Sequence, residues 1–153
     1  MTLGFKQKFP WGEPTNFREK ILYGVGRAIW ITPRQIKKYP KIHTMRADPT
    51  NRWKAGRKIE MVYRGAGYKI LDHFNKGIPE LEKCVSVQKI KILVTPYGGA
   101  LMYDISIDDG PMLTRAQASV LAVNDGFDSL HDFERWFKKD FTGKIIHFTD
   151  LRY

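Results

Sequence analysis

Residues 83–107, KCVSVQKIKILVTPYGGALMYDISI, decide the fold of this chain. From Lys83 to Thr95 the run is rich in β-branched types, with Val85, Val87, Ile90, Ile92 and Val94 set among polar residues. Such residues suit a pleated, half-buried surface, so a strand is expected over 83–95. Pro96-Tyr97-Gly98-Gly99 then turns the chain into Leu101, Tyr103, Ile105 and Ile107, which gives a β-hairpin closed by Asp109-Gly110-Pro111.

Downstream the period changes. Thr114 with Gln117 has the spacing of a capping box, and Leu113, Ala116, Val120, Leu121 and Val123 give a helix its buried stripe. Asn124-Asp125-Gly126 ends that helix, with Gly126 as the left-handed stop. Asp128-Ser129 opens a second helix carrying Leu130, Phe133, Trp136 and Phe137, and a last strand is expected from Lys144 to Phe148.

Upstream, Lys58 to Arg64 alternates as a strand, Gly65-Ala66-Gly67 breaks it, and residues 68–80 read as a polar loop ending at Gly77-Ile78-Pro79. No Gly-Lys-Ser/Thr signature follows those glycines, so they are not a phosphate-binding loop. Residues 1–12 interleave Lys6 and Lys8 with Phe5, Phe9 and Trp11, aromatics expected to tuck against the domain. Asn16 with Glu19 marks the start of a short helix that stops at Tyr23-Gly24. Residues 25–40 hold Arg27, Arg34, Lys37 and Lys38 and no acid, a basic insert bounded by Pro40. Beyond it lies Lys41-Ile42-His43-Thr44-Met45-Arg46, in which strand geometry puts Thr44 and Arg46 on one face and His43 and Met45 on the other. Asp48-Pro49-Thr50-Asn51 and Gly56 are turns.

The 153 residues suffice for one α+β domain spanning 1–153, without linker or internal repeat. A single cysteine, Cys84, excludes an internal disulfide, and its apolar setting predicts a buried, inert thiol. No stretch approaches a membrane span and the amino terminus lacks the apolar core of a signal peptide. The expected location is therefore the cytoplasm of the producing or host cell. The net charge of +10 is concentrated in residues 1–76, which carry +12 against −2 for the rest. Concentrated positive charge favours phosphate contacts through counterion release, so RNA, a nucleotide or a nucleoside is the expected partner. Cys84 and the histidines lack the close ligand pairs of a zinc site, so neither a metal nor a cofactor is expected.

Several landmarks together resemble the ASCH family of the PUA-like superfamily, in its phage and bacterial versions. They are the Lys41, Thr44, Arg46 spacing, the Trp53-Lys54-Ala55-Gly56 turn with the strand after it, and the step Asn124-Asp125-Gly126-Phe127 leading into an aromatic-rich helix. The resemblance covers most of residues 14–150 apart from the insert at about 25–40, which would cap one end of the barrel or widen a basic surface. It implies a small β-barrel with flanking helices and a cleft beside the Lys41-Thr44-Arg46 strand, used for RNA-related binding. In one branch of the family it also implies an amidohydrolase that deacylates acetylcytidine with a lysine, a threonine and a glutamate, and in another a ribonuclease. Carried over by motif, Lys41 and Thr44 match the first two residues, Arg46 the accompanying arginine, and Asp125 the glutamate position, one methylene shorter. Arg57 stands where the family has an acid after the turn glycine.

The chemistry of such a site is definable. A lysine acts as base or nucleophile only when neutral, so burial or a neighbouring cation such as Arg46 must lower its pKa. Arg46 would also hold a carbonyl oxygen or a phosphate, Thr44 would orient water or substrate, and Asp125 would move the proton. In the binding reading, Arg46, Arg52 and Lys54 contact phosphates and Trp53 stacks a base. Two plainer readings stand beside these: Asn-Asp-Gly is ordinary helix-stop chemistry, and a tryptophan beside a turn glycine ordinarily packs.

Overall fold

The computed structural model describes residues 1–27, 39–65 and 69–153. Seven strands and three helices follow in the order β1 (Thr2–Lys6), α1 (Phe17–Gly24), β2 (His43–Arg46), β3 (Glu60–Arg64), β4 (Ile70–His73), β5 (Ser86–Tyr97), β6 (Ala100–Ile107), α2 (Arg115–Asn124), α3 (Leu130–Trp136) and β7 (Phe141–His147). The domain is α+β. One sheet has the order β1-β3-β4, with β1 parallel to β3; the other, β2-β7-β5-β6, is antiparallel throughout.

The hairpin forms as its residues dictate. β5 alternates buried Gln88, Ile90 and Ile92 with exposed Lys89, Lys91 and Leu93, and pairs with β6 on one side and β7 on the other. Gly98 and Gly99 make the two-residue turn at φ +56° and +82°, values that hairpin turns require and that glycine adopts without strain. Aromatic rings of Phe5, Phe9, Phe17, Phe127 and Phe133, from β1, the N-terminal segment, α1 and the α2–α3 link, meet largely edge to face and fill the centre. Trp11 stacks on Phe9, so the aromatics of residues 1–12 do tuck against the domain.

Several boundaries differ from the sequence reading, each for a local reason. Residues 68–80 are not all loop. β4 pairs with β3, and buried Asn75 ties the chain down by accepting from Met61 N and donating to the carbonyls of Ile59 and Leu81. β7 begins at Phe141, three residues before Lys144. The glycine that makes this start look like loop is a packing requirement, since a Cβ on Gly143 would lie 2.3 Å from the Arg46 carbonyl oxygen. Asn16 sits at φ +51° and its side chain caps nothing; the Thr15 hydroxyl lies 3.4 Å from Phe17 N instead. The capping box at Thr114 and Gln117 and the Ser129 cap of α3 are both formed. The core of the basic insert, residues 28–38, lies outside the described residues, as do Ala66 and Gly67.

Among the described residues the strands do not close into one barrel. No ladder joins edge strand β1 to edge strand β2. Instead, Arg46 Nη2 at the end of β2 donates to the Gly4 carbonyl of β1 at 2.7 Å, its guanidinium over the Phe5 ring. A side chain thus spans the gap where a ladder would close the two sheets, and the site lies in that seam.

Candidate nucleic-acid interface and buried ion pair

The entry to β2 is held by backbone bonds before any side chain acts. Lys41 N donates to the Lys20 carbonyl of α1, Ile42 N to the Asn124 carbonyl ending α2, and Phe148 N to the Ile42 carbonyl. These bonds place Lys41 beside Asp125, although 84 residues separate them. The Lys41 ammonium, 2% exposed, donates to Asp125 Oδ1 at 2.8 Å and to the Asp125 carbonyl, under the Phe17 ring at 4.7 Å. Next to it, buried Lys20 donates to the Gly126 carbonyl and to Asp128 Oδ1. Two cations therefore meet the C-terminal end of α2, where unpaired carbonyls and the helix dipole favour positive charge. Asp125 serves both plainer and sharper readings: it ends the helix, and it is the counter-ion of Lys41.

Burial sets the electrostatics. It pushes the Lys41 pKa down to about 8, against the upward pull of Asp125, with Arg46 and Lys20 adding to the fall. Burial alone would raise the Asp125 carboxyl, but Lys41 and His43 outweigh it and hold it below the usual carboxylate range. His43 is buried as well and its pKa falls for that reason, leaving it neutral at pH 7. Burial likewise lowers the Arg46 pKa, and the guanidinium stays charged.

A cavity of about 90 Å³ lies in the seam, lined by Phe5 and Lys6 of β1, Phe17, Lys41, Thr44, Arg46, Asp125 and Trp136. Residues Lys41, Thr44, Arg46 and Asp125, named from the sequence, thus converge on one space. Two wider depressions adjoin it through Arg46. One, of about 630 Å³, is lined by Arg46, Arg135, Trp136, Phe137, Lys138, Lys139 and Asp140. The other, of about 460 Å³, is lined by the first residues of β1 with Arg46, Arg52 and Trp53.

Arg52 therefore shares a depression with Arg46. Lys54 is exposed and lines none of the three depressions. The Trp53 assignment needs correction: the residue is 3% exposed and belongs to the core. Its backbone N–H, with that of Arg52, is held by the Asp48 carboxylate, which leaves no open ring face to stack a base. Lys6, Lys20, Arg135, Lys138 and Lys139 were not singled out by the sequence reading. The Lys138-Lys139 pair after Trp136-Phe137 is the one visible signal among them. His43 points away from Thr44 as alternation demands, yet its Nδ1 reaches to 3.4 Å from Asp125 Oδ1. Cys84 is buried, its thiol pushed up to about 11 by burial and donating to the Ser86 carbonyl.

No family model, curated protein or solved structure matches this chain. Among the described residues no helix is long and apolar enough to cross a membrane, and no group of three acidic, histidine or cysteine side chains is placed to hold a metal ion.

Proposed function

We propose that the chain is a nucleic-acid-binding domain of the ASCH type, a PUA-like fold opened at the β1–β2 seam, with RNA lying in the groove over that seam. The observation that carries this reading is the place of Arg46. It lines the cavity and both depressions, flanked by Arg135, Lys138 and Lys139 on one side and Arg52 on the other. One carboxylate lines these two depressions, that of Asp140, whose Oδ1 already accepts from Val94 N. Four or five clustered cations facing a trough with apolar walls suit a phosphate backbone with bases against Trp136, Phe137 and Phe141.

A hydrolase, acting on an acylated cytidine-type nucleoside or on RNA, is the second reading. It is favoured by Lys41, whose pKa of about 8 makes a neutral amine accessible beside Thr44 and Asp125. Two facts rank it second. The ammonium is engaged by two oxygens of Asp125, and a cavity of about 90 Å³ admits a water or a small acyl group. Pockets for whole organic ligands run to roughly 300–1,000 Å³.

The test is fluorescence anisotropy of a labelled single-stranded RNA, with a DNA of the same sequence, across a salt series. Acetylcytidine hydrolysis and RNA cleavage are followed in parallel. Binding should weaken with salt, and Lys138→Ala/Lys139→Ala should flatten the log–log slope by about 2, roughly one unit per lost phosphate contact. No binding by wild-type protein, or a slope unchanged in the double variant, contradicts the reading. Turnover abolished in Lys41→Ala would replace it with the hydrolase.

A further inference from the structure

A second polar constellation lies on the other face of β2 from Thr44, and the groove does not use it. After β7 the chain folds back so that Tyr153 N donates to Gln88 Oε1 at 2.9 Å, while Gln88 Nε2 donates to the Tyr153 carbonyl at 2.9 Å and to Asp108 Oδ2. These bonds fix the Tyr153 backbone over β5 and set its phenol 2.7 Å from His43 Nε2 and 2.9 Å from Asn124 Nδ2. The ring is 37% exposed, whereas His43 is fully buried.

The proton positions follow from the partners. An amide nitrogen only donates, so the phenolic oxygen accepts from Asn124. A carboxylate only accepts, so His43 carries its proton on Nδ1, facing Asp125 Oδ1 at 3.4 Å. His43 Nε2 is then a lone pair, and the phenolic hydrogen points at it. Hydroxyl, imidazole and carboxylate stand in the order in which a hydroxyl is activated for attack, and Asn124 steadies the oxygen as its proton leaves. Burial raises the pKa of the Tyr153 phenol, so no standing phenolate forms at neutral pH and the proton must pass to His43 during attack.

We propose that Tyr153 is a nucleophilic hydroxyl, with His43 as its base and Asp125 orienting the imidazole, that accepts an acyl group from an activated ester. The phenolic oxygen bonds to the acyl carbon and its proton moves to His43 Nε2. The bond between the acyl carbon and the ester oxygen breaks, and the leaving alcohol or phenol departs with the electron pair. His43 returns the proton to that group or to water, leaving a Tyr153 ester. An acyl donor fits better than a phosphoryl donor because carboxylates predominate around the site. Asp125 lies behind His43 and Asp108 behind Gln88; Arg152 is the cation close to His147, whose neutral ring lies 6.1 Å from that of Tyr153. The site is independent of the groove, and the proposal does not rest on RNA binding.

Its test is incubation of the folded protein with p-nitrophenyl acetate, reading nitrophenolate release and locating the acetyl by peptide mass spectrometry. Tyr153 should acetylate at least about tenfold faster than Tyr97, which is 73% exposed. Tyr153→Phe, which removes one oxygen from a partly exposed ring, should abolish the fast phase, and His43→Gln should slow it by about 100-fold. The proposal is overturned if Tyr153 labels no faster than Tyr97 in the wild-type protein, or if the fast phase survives Tyr153→Phe. A folded His43→Gln that labels at the wild-type rate also overturns it. The comparison with Tyr97 decides the matter even if His43→Gln does not fold.

Discussion

Replacing Asp125 by Asn keeps the shape of the side chain and removes the charge that faces Lys41. Both residues are almost wholly buried, so solvent screens little of their interaction. Even with Asp125 in place, burial moves the Lys41 pKa from 10.5 to about 8, so folding works against the charged ammonium by about 3 kcal/mol at pH 7. Removing the carboxylate lowers that pKa further, and a half-broken buried pair typically costs about 3–5 kcal/mol. The ammonium can still donate to the carbonyl of residue 125 and can escape by shedding its proton, so the low end, about 3 kcal/mol, is expected. The escape gives the effect a signature in pH. Between the folded pKa of about 8 and 10.5 the unfolded chain holds a proton the folded chain lacks, so wild-type stability rises with pH across that window. In Asp125→Asn the rise begins at lower pH, so the deficit against wild type shrinks as pH climbs from about 6 to about 8. Urea unfolding at both pH values measures it. Lys41→Met strands the carboxylate and should be comparably destabilised. The double variant Lys41→Met/Asp125→Asn should be more stable than the sum of the singles implies, with a coupling of at least about 1 kcal/mol. Additive singles, or a deficit that does not change with pH, would refute the pairing argument.

Other consequences are checkable by similar means. Gly126→Ala should lose about 1–2 kcal/mol in urea unfolding, because the residue sits at φ +90° and a Cβ would lie 3.0 Å from Lys41 Cδ and 3.1 Å from Phe17 Cε1. The buried Cys84 thiol, pushed up to about 11, should stay unreactive to a disulfide reagent at neutral pH and yield one equivalent only on unfolding. Burial lowers the His147 pKa to about 3, with His43 and Arg152 assisting, so its ring protons should not titrate in the folded state between about pH 7 and pH 4. An unfolded histidine takes up its proton near 6.5. Stability is therefore lost progressively as pH falls from about 6.5 toward 3, with His43 contributing in the same direction.

What the sequence made legible was local. The β5–β6 hairpin, the capping box at Thr114, the Ser129 cap and the Gly126 stop each rest on contacts within a few residues, and each is present. What it hid was set by partners far along the chain. Gly143 looks like a loop residue until the Arg46 carbonyl is placed against it, and Asn75 looks like a loop residue until it substitutes for a missing turn of backbone bonding. Trp53 next to a turn glycine looks the same whether it packs or stacks, and burial decides for packing. The motif spacing selected Lys41, Thr44, Arg46 and Asp125 but not the second face of β2. Strand alternation correctly turns His43 away from Thr44, and only the fold reveals that Asp125 lies within reach of both Lys41 and His43. The open seam between β1 and β2 could not be read from strand patterns, because it depends on a single arginine reaching Gly4.

The measurement that bears most directly on the groove is a titration of the ¹⁵N-labelled protein with a short single-stranded RNA, followed by amide shift changes. Binding in the groove predicts the largest changes at Arg46 and Ala47, at residues 135–141 and in β1, with Arg46→Ala weakening the affinity at low salt. Changes confined to other surfaces, or spectra unaltered by RNA at low salt, would contradict it.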